Sequence, residues 1–154
     1  MNVLILCGGL GTRIRGVTED VPKPMIEVGG SPIVHHIMKT YAHHGLTDFV
    51  LLLGYRGQVL KEYFLNYRAM KNDVAVQLGS GRVEYLSAQP GEDWRVVLAD
   101  TGLDAMTGAR IFRGAKHAQG STFLATYGDG LADVDIGAVA FTSITSMSDP
   151  VTQI

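Results

Sequence analysis

Apolar positions in this chain fall into two kinds of pattern, short unbroken runs and longer stripes. Val3-Leu4-Ile5-Leu6-Cys7 and Phe49-Val50-Leu51-Leu52-Leu53 are unbroken runs, each stopped by a glycine, Gly8 and Gly54. Runs of this length, rich in branched side chains, predict strands buried on both faces. Between them Ile33, Val34, Ile37, Met38 and Tyr41 recur at helical spacing and predict a helix over 33–44. Pro32 suits its first turn and Gly45 its C-terminal end. Strand, helix and strand in that order predict a parallel pair joined by a right-handed crossover.

The alternation continues along the chain. A helix is predicted over 58–67, with Val59, Leu60, Tyr63, Phe64 and Tyr67 turned inward. The weakly alternating stretches 74–78 and 82–85 predict a hairpin, and 94–98 another strand. A helix over 106–118 carries Ile111, Ala115 and Ala118 on one side. The strand predicted at 122–126 runs into Tyr127-Gly128-Asp129-Gly130. This order implies an α/β fold of three layers with an open, mainly parallel, Rossmann-like sheet. Residues 142–154 are rich in Ser and Thr, hold Pro150 and lack periodicity, so a loop or frayed tail is expected there after a domain over 1–141. A doubly wound sheet normally continues further, and the chain reads as the front part of a longer domain, truncated at the C-terminus.

Composition narrows the classes. With 154 residues, 46% of them hydrophobic, the chain suits one domain with a real core. The formal net charge of -2 gives no general attraction to nucleic acid or to an acidic membrane surface. Cys7 is the single cysteine, so no intramolecular disulfide forms, and a small buried thiol is expected. No apolar stretch reaches the ~20 residues that cross a bilayer. The first residues lack the pattern of a signal peptide, and the cytoplasm is the expected location.

Candidate chemistry gathers at predicted strand ends, where doubly wound folds bind ligands. Gly8-Gly9-Leu10-Gly11-Thr12-Arg13 follows the first strand. Glycines admit positive φ and close backbone approach, and successive N–H groups cradle an anion. Thr12 adds a hydroxyl and Arg13 a planar fork suited to phosphate. The spacing matches neither a P-loop nor G-x-G-x-x-G; a tight turn without a ligand is the alternative. Pro22-Lys23-Pro24-Met25 holds a lysine between two prolines, biased towards extended backbone and pre-aimed at an anion; the alternative is a solvated lysine on a stiff loop. Asp129, between two glycines at a strand end, is placed to reach Mg²⁺, or else makes an Asp-Gly turn. Asp133 and Asp135 read as helix-start or turn acids. His35, His36, His43 and His44 make no convergent metal pair and are expected to be solvated or at a helix end. The aromatics of 58–67, with Trp94, suggest core or a subunit contact. Cradle, lysine and aspartate together suit phosphoryl or nucleotidyl transfer, which needs charge neutralisation and in-line positioning.

The glycine loop, Thr18 and Pro22-Lys23-Pro24-Met25 resemble the signature of the sugar-1-phosphate nucleotidyltransferases. Gly54-Tyr55-Arg56-Gly57, Asp100-Thr101-Gly102, Met106-Thr107-Gly108 and Thr126-Tyr127-Gly128-Asp129-Gly130 narrow the likeness to the glucose-1-phosphate cytidylyltransferases, over residues 1 to about 141. The resemblance implies joining of CTP and α-D-glucose 1-phosphate to give CDP-glucose and pyrophosphate, assisted by Mg²⁺, in nucleotide-sugar biosynthesis of the O-antigen kind, with a homo-oligomer as the assembly. UTP or dTTP in place of CTP, or nucleotide binding without turnover, are the alternatives. It implies catalytic roles for Arg13, at the departing pyrophosphate, and Lys23, at the α-phosphate. Nucleotide-binding positions would be Leu6, Cys7, Gly8, Gly9, Leu10, Gly11, Thr12, Arg13, Lys23, Thr107, Arg110 and Gly128, and Asp129 would bind the metal. Ala109 stands where the family usually has a second glycine, and 77–92 match poorly. In the family, a second metal aspartate and most sugar contacts come later than residue 154.

Overall fold

The computed structural model describes residues 1–9, 21–87, 91–131, 134–138 and 151–153. In chain order the elements are β1 (Asn2–Leu6), β2 (Glu27–Val28), β3 (Ser31–Pro32), α1 (Ile33–His43), β4 (Asp48–Leu53), α2 (Gly57–Leu65), α3 (Tyr67–Lys71), β5 (Val74–Gln77), β6 (Arg82–Tyr85), β7 (Arg95–Asp100), α4 (Thr107–Ala115), β8 (Phe123–Tyr127) and β9 (Val151–Gln153). Five of the strands form one parallel sheet in the order β7-β4-β1-β8-β9. At its centre Val3 sits opposite Phe49 of β4 on one side and Leu124 of β8 on the other. The chain builds outward from β1 through β4 to β7, then returns to β1's other edge with β8. That reversal makes the gap between the carboxyl ends of β1 and β8 the switch point, where such sheets leave a crevice.

The unbroken apolar runs are explained by helices on both faces. Val3, Ile5 and Cys7 pack with Val34, Ile37 and Met38 of α1 and Leu60 of α2. Leu4, Val50 and Leu52 face the other way, onto Ile111 of α4 and Phe123. Each such fully buried aliphatic side chain contributes roughly 1.5–3 kcal/mol relative to exposure. α4 comes so close to the sheet that a Cβ on Gly114 would collide with the Leu52 side chain. The three-layer parallel architecture expected from the sequence is therefore present.

Several expectations change in detail. The helix expected over 58–67 is two helices, because the chain breaks at Asn66, whose side-chain and backbone N–H groups both donate to the Glu62 carbonyl at 2.8 and 3.1 Å. The hairpin β5–β6 forms with Val74 opposite Tyr85, but as a separate two-stranded sheet exposed along its whole length. The short pair β2–β3 carried no periodic signal. Residues 151–153, expected in a loop or frayed tail, add an edge strand parallel to β8 instead. A parallel edge needs only backbone donors and acceptors, so a polar stretch without alternation pairs there as well. Residues 142–150 and 154 lie outside the described residues.

His35 is a clear correction. It was expected at a solvated or helix-end position, and it is 1% exposed. Its Nε2 lies 3.2 Å from Glu92 Oε1 and its Nδ1 3.4 Å from the Tyr63 hydroxyl. Its ring stacks on Tyr67 and tilts against Trp94. The aromatic side chains that made 58–67 look apolar are the ones that bury it, which helical spacing within α1 alone does not reveal. Burial pushes the His35 pKa below the ordinary histidine value, against the opposing pull of Glu92.

Candidate active site at the carboxyl edge of the sheet

A cleft of about 530 Å³ opens at the switch point. Its floor is Leu6, Cys7, Gly8 and Gly9, the end of β1 and the start of the glycine loop. Lys23 and Asp129 stand on its sides, and the segment Leu103 to Thr107 forms another wall. Leu10, Gly11, Thr12 and Arg13, as well as Thr18 and Asp133, lie outside the described residues.

Lys23 opens a short 3₁₀ turn, Lys23–Met25, rather than remaining in the extended backbone expected before a proline. The turn is closed by Met25 N–H donating to the Pro22 carbonyl at 2.8 Å and Ile26 N–H donating to Lys23 at 3.1 Å. Pro24 and Met25 are buried, so the turn is anchored in the core while the lysine side chain stays about a quarter exposed, 26%. The stiffness read from the two prolines is thus present, with a tighter local geometry. Lys23 Nζ is 3.9 Å from Asp129 Oδ2, so the fold brings together two residues that are far apart in sequence.

Asp129 is carried by the turn after β8. Gly128 N–H donates to the Leu6 carbonyl at 3.0 Å, which extends the β1–β8 pairing by one step. A Cβ on Gly128 would lie 2.9 Å from both Cys7 Sγ and the Leu6 carbonyl oxygen. Gly128 is therefore glycine for close packing against the end of β1, and that packing sets Asp129 at the cleft rim. Cys7 is 1% exposed, and burial, with the nearby Asp129 charge adding, pushes its thiol far above the ordinary range. It is a buried thiol within the floor, not a nucleophile.

Gly8 lines the cleft and also packs against a buried arginine. Neither Gly8 nor Gly9 uses the positive φ that glycine admits. A Cβ on Gly9 would meet nothing within 4 Å, whereas one on Gly8 would fall into the Arg110 guanidinium. Arg110, expected near the nucleotide, borders the cleft but is only 5% exposed. Its Nη2 donates to the carbonyls of Gly8 and Leu103, each at 2.9 Å. Its Nη1 lies 2.7 Å from the Gly102 carbonyl, 2.8 Å from Thr101 Oγ1 and 3.1 Å from the Leu53 carbonyl. Burial lowers its pKa, with Arg113 adding and Asp100 and Asp104 opposing, yet an arginine stays charged. Thr107 also borders the cleft, at the start of α4.

Sequence reading assigned no site role to residues 103–106 or to Tyr127, the last residue of β8, although Met106 and Tyr127 fall in stretches quoted for the resemblance; the meeting of the strand ends is what brings them to one cleft. Asp104 is the acid it passed over, two residues beyond the quoted Asp100-Thr101-Gly102 stretch and on the cleft wall. The described residues hold no cluster of three or more His, Cys, Asp or Glu around one point. Asp129 alone fits a cation that takes one protein carboxylate and fills its remaining positions from water and phosphate oxygens, as Mg²⁺ does.

The fold and cleft define an α/β protein of the doubly wound class, in which ligands bind outside the carboxyl ends of the strands at the switch point. Residues 2–91 match the nucleotidyl transferase family, and the chain belongs to it. It is 48% identical over 139 residues to the glucose-1-phosphate cytidylyltransferase of Salmonella typhimurium, an alignment that covers 90% of this chain and 54% of the relative. It is 46% identical over 136 residues to the probable glucose-1-phosphate cytidylyltransferase of Bacillus subtilis, covering 88% and 53%. The chain thus spans about half the length of the curated relatives it matches. Among solved structures it shares the fold of HddC from Yersinia pseudotuberculosis, solved in complex with GMP-PN, with a TM-score of 0.64 at 24% identity over 93% of this chain and 54% of that one.

Proposed function

We propose that this chain forms the nucleotide-binding half of an enzyme that joins CTP and α-D-glucose 1-phosphate to CDP-glucose and pyrophosphate. The observation that carries the reading is the Lys23–Asp129 pair, 3.9 Å apart across the switch-point cleft. The identity to named glucose-1-phosphate cytidylyltransferases supports cytosine and glucose as the specific partners.

In this reading the sugar phosphate oxygen attacks the α-phosphorus of CTP, a P–O bond forms there, and the bond to the β,γ-pyrophosphate breaks in line. The chemistry calls for positioning and for stabilising negative charge, not for a proton-transferring pair. Lys23 places an ammonium at the α-phosphate, where charge shifts in the transition state, and its anchored turn lowers the entropy lost on binding. Gly8 and Gly9 offer backbone to the nucleotide at the floor, and Thr107 offers a hydroxyl beside it. Asp129 would hold Mg²⁺, which would supply further neutralisation of the phosphates. Arg13 takes the departing pyrophosphate in this proposal. The cytoplasm is the proposed location, and among the described residues no helix is long and apolar enough to cross a membrane. A homo-oligomer is the proposed assembly.

The test is pyrophosphate release from CTP and glucose 1-phosphate with Mg²⁺, run beside UTP and dTTP and beside calorimetric titration of CTP. Release with CTP above the other two supports the full reading. CTP binding without release leaves a nucleotide-binding half that needs the rest of its relatives' length. Absence of CTP binding overturns the proposal.

A further inference from the structure

The buried guanidinium of Arg110 has no carboxylate within salt-bridge distance among the described residues, and every bond given above goes to a backbone carbonyl or to the Thr101 hydroxyl. Those acceptors come from the ends of three parallel strands: Gly8 after β1, Leu53 ending β4, and Thr101 to Leu103 after β7. Arg110 and Gly8 are 102 residues apart in sequence. The two glycines that stop the apolar runs face the same group. A Cβ on Gly8 or on Gly54 would fall inside the guanidinium.

From this geometry we infer that Arg110 is a positioning residue that clamps the three strand-end loops into one cradle, and that Gly8 and Gly54 are glycines in order to admit it. A planar fork with five donors suits the task, since it spans acceptors on several strands at once, which a lysine's single nitrogen does not. The clamp acts on the site through the Gly8 carbonyl below and the Leu103 carbonyl in the wall. The guanidinium does not need to touch the nucleotide.

The first experiment needs no nucleotide. Amide hydrogen exchange is measured on the chain and on its Arg110→Met, Arg110→Lys and Gly54→Ala variants, and melting is measured on these and on Gly54→Ala/Arg110→Met. Loss of a charged donor bonded to carbonyls predicts exchange about tenfold faster or more at 7–9, 55 and 101–104 in both Arg110→Met and Gly54→Ala. Val3 to Ile5 at the sheet centre keep their protection. In the double variant the Gly54→Ala loss largely disappears, because the group it displaced is already gone. Arg110→Lys gives the same local pattern to a smaller degree, and serves where Arg110→Met fails to fold. Uniformly faster exchange, additive melting losses, or an Arg110→Lys protein with unchanged exchange would each overturn the inference.

The second experiment rests on the proposed nucleotide reading. Calorimetry of CTP should show about tenfold weaker binding in Gly54→Ala, with charge conserved, and a larger loss in Arg110→Met. Unchanged CTP affinity in both variants, with the unsubstituted chain binding, overturns the clamp's role in the site. If the unsubstituted chain binds no CTP, it is the nucleotide reading that fails, and the exchange result decides the clamp alone.

Discussion

Two basic side chains are buried at opposite ends of this fold and are accommodated in opposite ways. Arg110 keeps its charge and is held by carbonyl oxygens and one hydroxyl at the carboxyl edge of the sheet. His35 sits among Tyr63, Tyr67 and Trp94 beside Glu92, and burial drives it towards the neutral form. An arginine cannot shed its proton, so the backbone must be arranged around it, with glycines where it presses. A histidine can, so ordinary aromatic packing accepts it. One region is organised by a fixed charge at the wall of the cleft. The other is a packed aromatic cluster in which a neutralisable imidazole sits beside the Glu92 carboxylate.

Variants that act on one region and spare the other test this contrast. The largest effect is expected in the packed region: Phe49, fully buried and edge-on to Trp94, should cost about 3–5 kcal/mol of stability when changed to Ala. Chemical denaturation measures it, and a loss below about 1 kcal/mol would mean that this cluster is not core in the sense described. Lys23→Ala should do the reverse. Turnover, or CTP affinity where the chain alone does not turn over, should fall about 10²–10³-fold, the scale for removing one transition-state charge partner. Its melting temperature should hardly move, because the partly exposed 3.9 Å pair with Asp129 is worth at most about 1 kcal/mol. A stability loss without a functional one would place Lys23 in the wrong region.

The smallest effect is a pH dependence. His35 has a lowered folded pKa, so below the ordinary value of 6.5 the unfolded chain binds the proton first. Stability is then full above pH 6.5 and falls as pH drops towards the folded value, by at most about 1.4 kcal/mol per unit. Burial alone would raise Glu92, but its bonds to Tyr67, to its own backbone and to His35 hold it below the ordinary carboxylate value, so a second loss begins below 4.5. Melting curves of the chain and of His35→Gln between pH 7.5 and 5.5 check the sign: the variant should flatten the upper part of the profile. An equally steep profile in both would exclude His35 as its source.

How much was legible in the sequence follows from the same contrast. The runs that form β1 and β4 and the stripe that forms α1 were readable because each is a local statement about burial on both faces or on one. Asp135, read as a helix-start acid, does accept the Ala138 N–H at 3.0 Å. Lys23 and Asp129 were singled out by proline and glycine neighbours, which declare stiffness and open space. The break at Asn66, the two-residue strands β2 and β3, and edge strand β9 were not readable, since none needs a periodic apolar pattern. His35 was missed because its cover comes from residues 28 to 59 positions away, in α2, α3 and the segment before β7.

Gly8 and Arg110 mark the boundary most sharply. From sequence, the first was a loop glycine and the second a residue near the nucleotide, each standing alone. In the fold they are one contact, made across 102 positions by a guanidinium lying where a side chain on Gly8 would have to be. The sequence by itself determined the main buried strands and helices, a mainly parallel sheet and the chemical types at the strand ends, because those follow from local burial and backbone preference. Only the tertiary structure decided which strand ends share an arginine and which glycine yields space to it, because excluded volume between distant residues exists only once the sheet has brought them together.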